Sequence, residues 1–207
     1  MDHPVLKSNK SIFMKSKPRV FMMAAAVSLC MMFVFPLWKI TLLAPQYPKG
    51  LGMFIWINKI TGFEPNTLQN INIMNHYIGM KPIEPDSIPE LTFMPYIALA
   101  LAGLALLLGI FNKWRLNLVW VILLVVAGSL AIYDFYLWEY DYGHNLSSDA
   151  AIKIEGMAYQ PPLFGTKLIL NFTAKSYPRL GAVFLGLSMV LGGLAVYFGK
   201  KARKVVQ

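Results

Sequence analysis

Two histidines and three methionines outside the apolar runs of this sequence are the residues whose types could bind a metal. They are Met74, His76 and Met80 in the stretch NIMNHYIGMKPI, and His144 and Met157 further along the chain. Imidazole and thioether ligands together suit copper, and thioethers favour Cu(I). His76 and Met80, at i and i+4, would share one helix face, although Gly79 is expected to end the helix between them. The pattern therefore predicts a candidate copper site. The alternative is structural histidines with methionines that fill gaps in the core.

A carboxylate near the end of a long apolar run, Asp134, is a further candidate. An ionisable side chain inside a membrane span is a functional candidate by default. Asp134 and Asp141 would share one helix face with Glu139 beside them, which would suit a carboxylate site for a cation. The other interpretation is an interfacial carboxylate paired with Lys39 or Arg179. The aromatic residues around Asp134 favour this second interpretation, because such residues mark the membrane–water boundary.

The apolar runs that surround these candidates indicate a membrane protein. Hydrophobic residues make up 57% of the 207 and charged residues 14%, whereas a soluble domain carries about 25% charged residues. Four stretches approach the ~20 residues that a helix needs to cross the hydrocarbon core. The predicted spans are 20–44, 92–111, 116–138 and 180–198, joined by segments 45–91, 112–115 and 139–179 and flanked by a leader, 1–19, and a tail, 199–207.

The distribution of basic residues predicts which side of the membrane each segment faces. The leader, the 112–115 link and the tail together hold eleven Lys and Arg residues and one acid, and the remainder holds eight basic residues and nine acids. Short basic segments stay in the cytoplasm. Both termini are therefore predicted to be cytoplasmic, in a bacterial inner membrane. Segments 45–91 and 139–179, which carry the candidate metal ligands, would then face the periplasm.

Small residues and strand-like stretches predict how these parts pack. Stripes that let helices approach closely are Ala98, Ala102, Ala105 and Gly109 on the second span and Ala182, Gly186 and Gly193 on the fourth. Within the long segments, 52–62 and 165–175 are each predicted to form a strand, and 66–79 a short helix. The predicted fold class is an all-α transmembrane four-helix bundle with a small extracytoplasmic α+β cap made of the two long loops.

Motifs of several enzyme classes do not occur in the sequence. It has no Gly-rich phosphate loop, no Gly-x-Ser-x-Gly, no His-Glu-x-x-His and no Cys-x-x-Cys-His. We therefore expect a protein that is not an enzyme and that has no cofactor besides the candidate copper. The net charge of +9 is expected to serve membrane orientation and not nucleic acid binding. The expected partners are the lipid bilayer and a periplasmic or membrane protein.

Four phrases in and around the two long segments form a distinctive combination. They are LAPQYPKGLGM (Leu43 to Met53), NHYIGMKPI (Asn75 to Ile83), YDYGHNL (Tyr140 to Leu146) and GMAYQPPLFGTKLILNF (Gly156 to Phe172). Together they resemble small polytopic membrane proteins encoded near nitrous oxide reductase accessory genes in atypical, Bacteroidetes-like clusters. The resemblance implies an integral inner-membrane accessory protein of denitrification that supports the maturation, copper supply or function of a periplasmic copper enzyme. The alternative is a structural or assembly subunit that docks a periplasmic partner without binding metal.

Overall fold

The computed structural model describes residues 4–154 and 156–204, and the chain divides into two compact units. Among the described residues, the helical unit comprises 4–32, 95–129 and 184–204, and the sheet unit comprises 33–94, 130–154 and 156–183. Residues 1–3 of the predicted leader and 205–207 of the predicted tail lie outside the described residues.

The elements follow one another in a simple order. The helices are α1 (Pro4–Cys30), α2 (Thr67–Tyr77), α3 (Glu90–Phe111), α4 (Trp114–His144) and α5 (Leu180–Lys204). The strands are β1 (Trp38–Ala44), β2 (Tyr47–Ile55), β3 (Ile60–Gly62), β4 (Gly165–Ile169) and β5 (Phe172–Pro178). Two short 3-10 helices cover Met31–Phe33 and Pro85–Ser87.

Four helices among the described residues are long and apolar enough to cross a membrane. They cover Ser16–Phe33, Glu90–Phe111, Trp114–His144 and Leu180–Arg203. Large apolar side chains on them are exposed, among them Leu107, Ile110, Val119 and Val190, as is expected of surfaces that contact lipid. The protein is therefore a multi-pass membrane protein. The predicted spans 92–111, 116–138 and 180–198 all fall within these helices.

The predicted first span, 20–44, is wrong at its outer end. The helical conformation ends at Phe33, and residues 38–44 form strand β1. Pro36 removes a backbone donor and disfavours helical geometry at the residue before it. The sequence that follows, Trp38-Lys39-Ile40-Thr41, is aromatic and β-branched, and such residues pack well in a sheet. The apolar character of this stretch therefore reflects a buried strand and not the continuation of a membrane helix.

Packing within the helical unit uses small residues and hydroxyl groups. The stripe predicted on the second span is confirmed, because Ala98, Ala102, Ala105 and Gly109 are all buried. Ser188 of α5 donates to the Ala25 carbonyl of α1 over 2.8 Å, and the indole of Trp120 in α4 donates to the Leu101 carbonyl of α3 over 2.8 Å. These hydrogen bonds give the buried side chains of Ser188 and Trp120 polar partners within the helical unit.

The stripe predicted on the fourth span is wrong. Gly186 and Gly193 have no heavy atom within 4 Å of the position that a Cβ would take, whereas Ser188, Gly192 and Ala195 are buried. Helix α5 carries two series of small residues at helical spacing. The face that packs is the one whose serine hydroxyl finds a carbonyl acceptor, since an unpartnered hydroxyl in apolar surroundings is costly.

A five-stranded antiparallel sheet organises the sheet unit, with the order β3-β2-β1-β5-β4. Strand β1 is central, and its Ile40 pairs with Met53 of β2 and with Ser176 of β5. The sheet joins the two long segments, because β2 and β3 come from the first and β4 and β5 from the second. Helix α2 contacts β2 and β3. The α+β content predicted for these segments is thus present.

Each of the two predicted strands is a hairpin. The stretch 52–62 is divided by a turn in which Trp56 N–H donates to the Lys59 carbonyl over 2.8 Å. The stretch 165–175 turns at Leu170, whose φ of 55° lies in the left-handed region. A continuous apolar and β-branched pattern predicts strand conformation without locating the reversal. The helix predicted over 66–79 is confirmed as Thr67–Tyr77.

Candidate functional site

The sheet unit carries a cavity of ≈ 270 Å³. One wall is formed by the sheet, through Ile40, Leu51 and Met53, and a second by α2 and the turn after it, through Ile71, Met74 and Met80. Trp138, Glu139 and Tyr142 of α4 and Tyr159 of the following segment belong to the polar and aromatic part of the lining, which also includes Gln46, Asn75, Tyr77, Asn171 and Phe172. Apolar cavities with a few placed polar groups are typical of ligand sites.

Glu139 is the chemically unusual residue of this cavity. Its side chain is 0% exposed, and neither carboxylate oxygen has a hydrogen-bond partner among the described residues. Buried polar groups are nearly always hydrogen-bonded, and an ionised carboxylate in apolar surroundings is costly unless it is paired. Glu139 therefore presents to the cavity a carboxyl group with which a bound ligand can form hydrogen bonds.

Tyr159 brings a second unpartnered oxygen to the same cavity. It is 2% exposed, and its hydroxyl has no hydrogen-bond partner among the described residues. Its backbone N–H donates to the carbonyl of Gly143 over 2.9 Å. Gly143 follows Glu139 by one helical turn and shares its face of α4. The close approach requires the glycine, because a Cβ at Gly143 would lie 2.3 Å from the Cα of Gln160.

The stretch NIMNHYIGMKPI contributes part of the lining of this cavity. Asn72 clamps the far end of the stretch, since its side chain accepts from the Ile83 N–H over 2.7 Å and donates to the Ile83 carbonyl over 3.1 Å. Asn75 donates to the Lys81 carbonyl over 3.3 Å. Between them Gly79 turns the chain with φ +79°. The two asparagines thus hold Met74 and Met80 against the cavity.

Contacts from the second long segment fix the same stretch. The Tyr142 hydroxyl donates to the Pro82 carbonyl over 3.1 Å, and the Lys81 amine forms an ion pair with Asp141 over 2.7 Å. The Ser147 N–H donates to the Gly79 carbonyl over 2.8 Å. The phrases NHYIGMKPI and YDYGHNL, far apart in sequence, are therefore neighbours in the sheet unit.

The predicted metal ligands lie in different environments. Met74 and Met80 are partly buried and line the cavity, and Met80 and Met157 pack against the same cluster around Tyr159. His76 and His144 are exposed. His144 stacks on Tyr140, and its Nδ1 lies 3.0 Å from the Tyr140 carbonyl oxygen. No group of three or more His, Cys, Asp or Glu side chains within residues 4–154 and 156–204 is arranged to hold a metal.

Asp134 is the candidate carboxylate near the end of an apolar run. It is half-buried on α4, and among the described residues no ion pair joins it to Lys39 or Arg179. The Lys39 amine lies 4.6 Å from the centre of the Phe63 ring instead. Neither predicted pairing of Asp134 is thus formed. The other carboxylate on its face, Asp141, is already paired with Lys81.

Glu139 was predicted only to lie beside the face of Asp134, although the residues around it in α4 carry a signal for its burial. The positions of α4 that share a face with Glu139 are Phe135, Tyr142 and Gly143, all aromatic or small. A carboxylate in the middle of an aromatic face contradicts the pattern around it. Such a contradiction is expected at functional sites.

The fold and the cavity define the class as a multi-pass membrane protein whose antiparallel sheet unit carries a candidate binding site. No protein-family model, curated protein or solved structure matches the chain.

Proposed function

We propose that this protein is a non-catalytic membrane accessory protein that binds a small ligand in the cavity of its sheet unit. The observation that carries the proposal is Glu139, a fully buried carboxylate without a hydrogen-bond partner in the wall of an apolar cavity. A buried polar group without a hydrogen-bond partner lowers the stability of the folded protein by about 1–3 kcal/mol, and a charged group lowers it by more. A ligand that supplies the missing partner offsets that cost.

An apolar probe tests whether the cavity binds organic molecules. The purified protein in lipid nanodiscs is titrated with 4-fluorotoluene, and binding is followed by ¹⁹F NMR against empty nanodiscs. Met80→Trp places a large ring at the cavity wall and is expected to abolish specific binding. Met157→Trp is the matched control, because Met157 is partly buried but does not line the cavity. Equal binding by the parent and by Met80→Trp, or none above empty nanodiscs, would overturn the proposal.

The proposed location is a bacterial inner membrane with both termini in the cytoplasm and the sheet unit in the periplasm. The support is the excess of eleven basic residues over one acid in the leader, the 112–115 link and the tail, since short basic segments stay in the cytoplasm. In this orientation the cavity serves chemistry or a partner outside the cytoplasm.

Copper handling for a periplasmic enzyme, such as the nitrous oxide reductase system, is the second candidate function. The observation that favours it is that three methionines, Met53, Met74 and Met80, line the same cavity. Thioethers are ligands that favour Cu(I). The test is competition for Cu(I) with a chromophoric chelator. Met74→Leu with Met80→Leu should release copper if the cavity holds it, and His76→Ala with His144→Ala should do so if the exposed imidazoles hold it. Copper affinity unchanged in both double variants would exclude this candidate.

Docking of a periplasmic partner without metal is the third possibility. It is favoured by β4, an edge strand on which Leu168 is 70% exposed, and by Phe164, an exposed aromatic residue that directly precedes this strand in the sequence. Exposed apolar edges pair readily with other chains. A photo-crosslinking residue at position 168 should then capture one partner in intact cells, and Leu168→Lys should abolish its association. The absence of any adduct in cells would exclude this possibility.

A further inference from the structure

We propose that the ligand of the cavity is a small organic cation, an apolar body with a primary ammonium head that binds to Glu139. This inference rests on the proposed function, since it names the chemical class that the cavity takes. It follows from three features of the described residues: the size of the cavity, the buried carboxyl group of Glu139 and the number of oxygens left without partners.

The size of the cavity favours an organic molecule over a metal ion. A single water needs about 10–15 Å³ of volume on this measure, whereas the cavity measures ≈ 270 Å³. A bare ion would leave most of this space empty, and apolar walls hold water poorly. The volume lies just below the usual range of ligand pockets, about 300–1,000 Å³. The fitting ligand is therefore about as large as an aromatic ring with a short side chain.

The buried carboxyl group of Glu139 selects the head group. A buried carboxylate is stable when a cation pairs with it and hydrogen bonds satisfy its remaining lone pairs. The nearby cation Lys81 is already paired with Asp141, and Lys39 lies over the Phe63 ring. Within the described residues, no side chain forms a hydrogen bond to Glu139. A cation to pair with the ionised form of Glu139 is thus left for a ligand to supply.

The number of unpartnered oxygens matches the donors of a primary ammonium. Both carboxylate oxygens of Glu139 and the hydroxyl of Tyr159 lack partners, and all belong to residues that line the cavity. A primary ammonium has three N–H donors, whereas an alcohol has one. Trp138 and Tyr142, whose rings lie 4.4 Å apart, line the same cavity as Glu139 and add aromatic faces that attract a cation. An alcohol of the same shape would leave at least one buried oxygen unsatisfied.

Matched probes test the head group directly. The full-length protein in nanodiscs is titrated with 2-(4-fluorophenyl)ethylamine and with 2-(4-fluorophenyl)ethanol, which share the ring and the chain. The amine should bind at least about tenfold more tightly than the alcohol, because hydrogen bonds between charged groups are stronger than neutral ones. Glu139→Gln, which keeps the shape and removes the charge, should erase this preference and leave alcohol affinity within about twofold, since only the charge-assisted bonds are lost.

Control variants keep the outcome interpretable. Glu84→Gln makes the same substitution at an exposed residue of the same unit and should retain the amine preference. If Glu139→Gln does not fold, Tyr159→Phe, which removes a single oxygen, should weaken amine binding severalfold and leave 4-fluorotoluene binding intact. Equal affinity for amine and alcohol, or an amine preference that survives Glu139→Gln, would overturn the ammonium proposal while the ligand cavity stands. If the unmodified protein does not bind 4-fluorotoluene, the proposal that the cavity binds a ligand is itself overturned.

Discussion

At the scale of single residues, the polar side chains of the sheet unit divide between structure and binding. Asn72 uses both atoms of its amide to hold Ile83, and Lys81 pairs with Asp141. These contacts give the polar residues of the stretch NIMNHYIGMKPI a structural role in an otherwise hydrophobic protein. Glu139 and the Tyr159 hydroxyl make no such internal bonds among the described residues. Their contribution is therefore expected in binding and not in stability.

Asn72→Ala tests the structural role of the clamp. The substitution removes two hydrogen bonds to the Ile83 backbone, and we expect a loss of about 1–3 kcal/mol in the free energy of unfolding, since a part-buried N–H and carbonyl lose their partners. The measurement is a denaturant titration in detergent. Asn66→Ala is the control, because Asn66 makes no side-chain cap hydrogen bond at the start of α2. A change at Asn66 as large as that at Asn72 would contradict the clamp.

Glu139→Met tests the cost of the buried carboxylate. Without ligand, replacing an unsatisfied polar group by an apolar one of similar length should raise the free energy of unfolding by about 1–3 kcal/mol. Glu84→Met, on an exposed residue, should change it by no more than about 0.5 kcal/mol. A large loss of stability in Glu139→Met would mean that the carboxylate supports the fold.

At the scale of elements, contacts within the folded protein determine which face of a helix packs and where a strand turns, and the sequence pattern alone determines neither. Helix α5 has two series of small residues at helical spacing, and only one of them packs against other helices. The adjacent residues Gly192 and Gly193 therefore lie in different surroundings. A Cβ at Gly192 would lie 2.7 Å from the Trp120 ring, whereas Gly193 has no heavy atom within 4 Å. In the sheet, the patterns of 52–62 and 165–175 predict extended chain and miss the turns that make each a hairpin.

Gly192→Ala and Gly193→Ala form a matched pair that tests the packing of α5. Gly192→Ala forces a methyl group against Trp120 and should destabilise the protein by about 1–3 kcal/mol, as overpacking does. Gly193→Ala meets no atom and should be neutral or stabilising by up to about 1 kcal/mol, because alanine favours the helix. Unfolding in mixed micelles measures both. The reverse ranking would show that the other face of α5 packs.

At the scale of the whole molecule, a membrane protein contains a sheet that joins two segments far apart in sequence. Strand β1 follows directly after the first membrane helix, and its pairing with β5 brings the second long segment beside the first. Sheet pairing over this sequence separation fixes the walls of the cavity, which come from the sheet, α2, α4 and the 159–172 segment. The cavity therefore exists only when both long segments lie on the same side of the membrane.

Reporter fusions test this topology. A reporter that is active only outside the cytoplasm should be active when fused after Lys81 and after Lys153, and inactive after Lys113 in the basic link. A fluorescent reporter that matures only in the cytoplasm should give the opposite pattern. Cytoplasmic activity after Lys81 or Lys153 would overturn the proposed orientation.

The sequence by itself determined the features that depend on composition along the chain. The length of the apolar runs predicted the membrane helices, and the asparagine before and the glycine after the short helix predicted its place at residues 67–77. The tertiary structure decided which residues share a cavity, because burial of Glu139 depends on walls contributed by strands and helices distant in sequence. It also placed His76 and His144 on the exposed surface and moved residues 38–44 from the first span into the centre of a sheet. Periodicity reports which residues are apolar, whereas the partner that buries them is set by long-range pairing.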